Sequence, residues 1–323
     1  MRPPPALFHL GVLGLATATA TTRPAGNNND GGGDVKISDW AWDAIKPTRH
    51  LEYHDCYGAF KCARLQLPLD WKNTSDPRTV AIAVVKLPAR VPDDDATFGG
   101  SIFTNPGGPG GSGVGLVLSS GRLLQDYVDR PGRRHYEIVS FDPRGMALSR
   151  PLANCFPGTL LARDALAVES RGLGGAFRDG AAMAYVLALK QGYGQRCELA
   201  EDTAINGGDI FRYMGTPSVA RDMVEMVDRI DELRRRDGQS PSAAAAEDGG
   251  DDEGKEEQGQ RMELKKRAAE ADDIPRLQYI GFSYGTVLGN YFASLFPERI
   301  GRIVLDGVCN TDDYSKGGVS SRS

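Results

Sequence analysis

The stretch from Arg276 to Phe296 reads RLQYIGFSYGTVLGNYFASLF. Its first part is short, apolar and aromatic, the pattern of a strand buried in a sheet. Its last part keeps apolar residues on a helical period, which predicts a helix from Tyr284 to Phe296. Between them lies Gly281-Phe282-Ser283-Tyr284-Gly285, so the chain passes from strand to helix within a few residues. A serine at the apex of such a turn is held in a strained backbone conformation, and its neighbours two before and two after must be small. Gly281 and Gly285 meet that demand. Ser283 then stands exposed at the carboxyl end of a strand, with a helix N-terminus facing any carbonyl it attacks.

The same alternation continues on both sides. Ala63–Trp71 and Thr79–Leu87 read as an extended pair, the second (VAIAVVKL) rich in β-branched residues and bounded by Pro77 and Pro88. Short strands are expected at Gly100–Thr104, Tyr136–Phe141 and Ile300–Leu305, and helices at Val114–Val128, Gly180–Leu199 and Ser218–Arg236. In the last of these, Val219, Met223, Met226, Val227, Ile230 and Leu233 share one face and read as core. Thr216 is its expected N-cap, with Pro217 at the first helical position. Alternating strands and helices imply an α/β domain: a mainly parallel sheet with helices on both faces.

A second glycine-rich turn, Asn105-Pro106-Gly107-Gly108-Pro109-Gly110-Gly111-Ser112-Gly113, falls between an early strand and a helix. It lacks the Gly-Lys-Ser/Thr ending of a phosphate loop and the spacing of a dinucleotide fingerprint. It fits instead a loop whose backbone N–H groups point at a developing oxyanion, joined by the N–H of Tyr284.

These two motifs, in this order, are those of an α/β-hydrolase. The segments DCYGAFKCARLQLPLDW, SIFTNPGGPGGSG, YEIVSFDPRG, SVARDMVEMVD and YIGFSYGTVLGNYFASLFPERIGRIVLDGV go further. Through them the chain, over about residues 40 to 316, resembles secreted tripeptidyl aminopeptidase-like proteins of the prolyl aminopeptidase family of serine peptidases. The resemblance implies a serine hydrolase of peptide or ester bonds that needs no cofactor or metal. It implies Ser283 as nucleophile, and main-chain N–H groups near Gly107, Gly108 and Tyr284 as oxyanion donors. It suggests a Cys56–Cys62 bridge, and it makes Asp142 and Arg144 structural strand-end residues.

One departure stands out. In this superfamily an Asp or Glu and then a His follow the serine, yet no histidine follows Ser283. The triad acid and histidine are therefore expected to be absent from this chain. Of its four histidines, His9 falls in the leader described below, His50 and His54 lie in the irregular N-terminal segment, and His135 sits just before a strand, at the N-terminal edge of the sheet and far from its carboxyl end. Asp306 ends the last strand but has no base to orient. The reading is of a partial α/β-hydrolase domain over residues 35–323, lacking the cap domain and last strands. Activity of this exact chain is doubtful, and an inactive fragment or binding relic is the alternative.

Met1–Ala20 has the form of a secretory signal: Arg2, an apolar run, then Ala-Thr-Ala sites. Its apolar run is short for a bilayer span, so a secreted chain without a membrane span is expected, with residues 21–34 a flexible mature start. Five cysteines suit an oxidising compartment. Cys56 and Cys62 are close enough to close a small loop, Cys155 with Cys197 is the natural second pair, and Cys309 is left over. Asn73-Thr74-Ser75 is a glycosylation sequon. The 323 residues carry 38 Lys+Arg against 43 Asp+Glu. Residues 237–273 hold more than that whole excess, with 12 acidic and 5 basic residues and too little apolar surface to fold. No basic stripe remains to suggest nucleic acid.

Overall fold

A computed structural model describes residues 40–73, 75–156, 160–172, 178–201, 210–238 and 274–316. The signal reading at 1–20, the segment 21–34 and all but two residues of the acidic segment lie outside them.

Seven strands form one mixed sheet in the order β1-β2-β3-β5-β4-β6-β7. They are β1 (His54–Cys56), β2 (Phe60–Pro68), β3 (Thr79–Leu87), β4 (Phe98–Asn105), β5 (His135–Phe141), β6 (Leu277–Phe282) and β7 (Ile300–Asp306). β5, β4, β6 and β7 run parallel, joined through helices; β1, β2 and β3 add to β5 by antiparallel pairing. The helices are α1 (Gly113–Val128), α2 (Leu160–Gly172), α3 (Gly180–Glu201), α4 (Ile210–Tyr213), α5 (Thr216–Arg236), α6 (Tyr284–Leu295) and α7 (Thr311–Ser315).

Both faces of β3 are covered, which explains why it is nearly continuous in apolar residues rather than alternating. On one face Phe103, Val139, Leu277 and Tyr279 pack against Met223, Val227 and Ile230 of α5 and Leu288 and Phe292 of α6. On the other, Ile102, Ile138 and Val85 pack against Val114, Val117 and Leu118 of α1. Each such side chain contributes about 1.5–3 kcal/mol relative to exposure. The α5 stripe read from the sequence is the buried face.

Some boundaries differ. Gly215, not Thr216, caps α5, and it does so without a side-chain bond; the Thr216 hydroxyl is engaged by Tyr284 instead, 2.7 Å away. The region holding His54 is not irregular, because Cys56 is tied to β2 through the Cys56–Cys62 bridge and β1 pairs beside it. A second bridge, Cys155–Cys197, staples the start of the α2–α3 arm. Cys309 is a free thiol. No helix among the described residues is long and apolar enough to cross a membrane.

Candidate active site

Ser283 occupies the turn between β6 and α6, with φ 53° and ψ −123°. A side chain at positive φ costs about 1–3 kcal/mol and persists only where its surroundings hold it. Here they do so through the backbone. The Ser283 N–H donates to the Asp306 carbonyl at the end of β7, 3.0 Å away. The Ser283 carbonyl accepts from both the N–H (2.9 Å) and the hydroxyl (2.6 Å) of Thr286. The Thr286 hydroxyl in turn accepts from the N–H of Cys309 at 3.0 Å, drawing in the segment after β7. The Ser283 side chain is exposed and does not cap α6.

The two flanking glycines have no room for a side chain. A Cβ on Gly281 would lie 2.5 Å from the Gly285 carbonyl oxygen, and one on Gly285 would lie 2.7 Å from the Asn105 carbonyl oxygen. The small-residue requirement read from the sequence is therefore a contact between strand, turn and helix backbones.

The second glycine turn packs directly on the first. Gly107 has φ +91°, and a Cβ there would meet the Phe282 carbonyl oxygen at 2.4 Å, the Tyr284 nitrogen at 2.8 Å and the Ser283 Cβ at 3.0 Å. Only glycine lets the loop come so close. The N–H of Gly107, however, donates to Asn105 Oδ1 at 2.9 Å. Its contribution is thus close approach, and its N–H is already engaged. Gly108 is exposed, and among the described residues its N–H has no acceptor. The Tyr284 N–H belongs to the first turn of α6, where helix geometry leaves donors unpaired.

Behind this pair stands Asp142, fully buried. One oxygen accepts from the Ser112 hydroxyl (2.7 Å) and the Val114 N–H (3.1 Å), the other from the Leu148 N–H (3.0 Å). Burial raises its carboxyl above the ordinary range despite those bonds. It fastens the far end of the glycine loop to the end of β5. Arg144 is equally buried: all its donors are used, on Asp222, Leu69, Pro68 and Tyr213. Asp222, also bonded by Trp71 Nε1 at 2.9 Å, carries no sequence signal as the partner, since it lies 78 residues away on α5. Asn105 does carry a signal in the sequence: a polar residue ending an apolar strand. Burial also raises the phenols of Tyr279 and Tyr284. The Tyr279 hydroxyl donates to the Gly285 carbonyl at 2.8 Å.

No described histidine comes near Ser283. His135 pairs with Phe98 at one end of β4 while Gly281 pairs with Asn105 at the other, about 23 Å apart along the strand. It sits beside Asp129 at 3.2 Å. His54 is on β1, five strand spacings from β6, about 24 Å. His50 bonds Glu232 at 2.9 Å, sixteen residues along α5 from the Thr216 that touches Tyr284, again about 24 Å. Asp306 contributes its backbone carbonyl to the turn. Asn73 is exposed in the β2–β3 turn, where the sequon needs it, although Thr74 lies outside the described residues.

No family model matches this chain. It is similar to the serine protease Hip1 of Mycobacterium tuberculosis, 29% identical over 250 residues, covering 77% of this chain and 36% of Hip1. It is similar to a tripeptidyl aminopeptidase of Streptomyces coelicolor, 26% identical over 211 residues, covering 65% and 28%. It is also similar to carboxylesterase B of Mycobacterium tuberculosis, 30% identical over 225 residues, covering 66% and 37%. The aligned part thus spans between 28% and 37% of each of these relatives. Their names support a serine hydrolase or peptidase family.

Proposed function

We propose that this chain carries the nucleophile of a secreted serine hydrolase of the α/β-hydrolase fold, an aminopeptidase-type peptidase that cleaves peptide or ester bonds. Ser283 Oγ gives its proton to a base, which none of the described histidines supplies, and attacks the substrate carbonyl. The scissile C–N or C–O bond breaks as the amine or alcohol leaves with that proton, and water then hydrolyses the acyl-enzyme to the free acid and restores the hydroxyl. The negative charge on the carbonyl oxygen is received by the N–H groups of Gly108 and Tyr284, and Gly107 gives the room for that approach. The observation that carries the reading is the strained, exposed Ser283 between two glycines that admit no side chain, with the second glycine loop packed against it. Secretion and a glycan on Asn73 belong to the same reading. Its support is the signal-like start of the sequence, the two bridges and the exposure of Asn73. Removing the serine hydroxyl takes away the bond-forming atom, leaving only what oriented donors and binding supply.

A second reading is an inactive chain that retains the architecture, favoured by the distance of every described histidine from Ser283. A general base contributes about 10²–10⁴-fold to rate. One measurement divides the two. The protein is treated with a fluorophosphonate probe, and the adduct is mapped by mass spectrometry. An adduct on Ser283 that is lost in Ser283→Ala supports the first reading and eliminates the second. No adduct, or one on another residue, eliminates the first.

A further inference from the structure

Three residues of the loop after β4 are glycine for want of room. A Cβ on Gly107 would meet the Phe282 carbonyl oxygen at 2.4 Å, one on Gly108 the Gly111 nitrogen at 2.8 Å, and one on Gly111 the Gly107 carbonyl oxygen at 2.7 Å. That closeness leaves the backbone undetermined. Gly107 and Gly108 have no side chain to restrict their dihedrals, so nothing local decides which way the peptide group between them faces. Turned over, that peptide would present a carbonyl oxygen where it now presents an N–H.

Two hydrogen bonds make the choice. The Gly111 N–H donates to the Gly107 carbonyl at 2.9 Å. In a trans peptide the N–H points opposite to the carbonyl, so the Gly108 N–H is turned away from Gly111, out of the loop. The Gly107 N–H donates to Asn105 Oδ1 at 2.9 Å, an Asx turn that fixes the peptide before it. Asn105 is itself buried and in register with Gly281. Gly107 is pressed against the Ser283 turn, since its Cβ would lie 2.8 Å from the Tyr284 nitrogen. The Gly108 nitrogen is two bonds from the Gly107 Cα, and so starts from an atom packed on the Tyr284 N–H.

We propose that Asn105 is a positioning residue for this loop. Together with the Gly111 N–H, its amide oxygen holds the Gly107–Gly108 peptide in the one orientation that offers the Gly108 N–H to a developing oxyanion. The proposal rests on the reading of Gly108 and Tyr284 as oxyanion donors. Asn105 acts through Gly107, the pivot about which the peptide turns. Without Asn105 the Gly107 N–H loses its acceptor, and the Gly111 bond alone must hold the peptide. The turned-over form removes a donor and also sets a carbonyl dipole against the negative charge.

Two readouts on the 323-residue protein test this, with folding of each variant checked by circular dichroism. One is the direction of the Gly107 carbonyl in crystal structures of the wild type and variants. The other is the reaction with a fluorophosphonate over a range of concentrations, which separates the limiting rate from the half-saturating concentration. Asn105→Ala should turn the Gly107–Gly108 peptide over. It should lower the limiting rate by between about tenfold and the 10²–10³-fold that loss of one such donor costs, with half-saturation unchanged. Asn105→Asp keeps an acceptor oxygen for the Gly107 N–H and should keep the wild-type orientation. Gly111→Ala pushes on the Gly107 carbonyl from the other side and should turn the same peptide with Asn105 in place, so the test stands even where Asn105→Ala fails to fold. Variants whose Gly107 carbonyl keeps its wild-type direction overturn the proposal, and so does a turned peptide that reacts at the wild-type rate. A wild type that the probe never labels overturns the serine-hydrolase reading, and the donor role of Gly108 with it. The two failures are distinct: the first appears only in variants of a protein that reacts, the second in the wild type.

Discussion

Ser283 and Arg144 both lie just beyond the carboxyl ends of parallel strands, β6 and β5, in turns that carry a glycine. They are opposites in every other respect. Arg144 is fully buried, and its guanidinium donates to a carboxylate and three carbonyls. Ser283 is exposed, its backbone sits at positive φ, and only its main-chain groups are bonded. A side chain whose every polar atom is satisfied in the interior has nothing left to offer a ligand. A side chain held in strain by its own backbone, with its hydroxyl left over, is poised to react. The same contrast separates Asp142, which receives bonds from Ser112, Val114 and Leu148, from the Gly108 N–H, which has no acceptor among the described residues.

The largest expected effect is at the satisfied turn. Arg144→Ala leaves the Asp222 carboxylate buried and unpaired, and stability measured by urea unfolding should fall by about 3–5 kcal/mol. Replacing both partners together, Arg144→Met with Asp222→Leu, should recover most of that loss, because it removes the orphaned charge. A loss below 1 kcal/mol for Arg144→Ala would mean that water reaches the pair and would blur the contrast.

The next effect is at the crowded glycines. Gly281→Ala and Gly285→Ala force backbones apart at 2.5 and 2.7 Å, which should cost about 1–3 kcal/mol. Each should also displace Gly107 from Ser283, visible as altered amide shifts across the glycine loop. Neutral substitutions would show that the turn is looser than its contacts require.

The smallest effects sharpen the comparison most. Ser283→Gly relieves the positive-φ strain and should raise stability by about 1 kcal/mol. Ser283→Ala keeps the strain and removes a hydroxyl that caps nothing, so its melting temperature should stay within error of the wild type. If alanine destabilises as much as glycine stabilises, the hydroxyl has a structural partner and Ser283 resembles Arg144 after all.

What was legible in the sequence follows from range. The turn around Ser283 could be read because its strand, apex and helix are consecutive and each demand falls on a neighbour. β3 was read to its ends because prolines stand on both sides. The contacts that carry the site were hidden wherever they join distant segments. Asp222 meets Arg144 across 78 residues. Thr216 reads as a cap by its hydroxyl, but Tyr284, 68 residues on, claims that hydroxyl. The family resemblance implies Gly107 as a donor, yet a side chain two residues earlier takes its N–H. α2 went unread because its exposed Leu161 and Val168 break the inside–outside pattern that marks a helix packed on a core.

Asn105 joins these two turns mechanically. Its strand is in register with Gly281, its carbonyl oxygen lies where a Gly285 side chain would go, and its amide oxygen holds Gly107. Ser283 and the loop over it are thus bolted to one joint in the middle of the sheet. An engineer exchanging the loop after β4 for one of another length would have to keep that joint, and also the close contact of Gly111 with the Gly107 carbonyl. Any graft that lost Asn105 would let the two turns move separately, and the spacing between Ser283 and the glycine loop would cease to be a fixed dimension of the molecule.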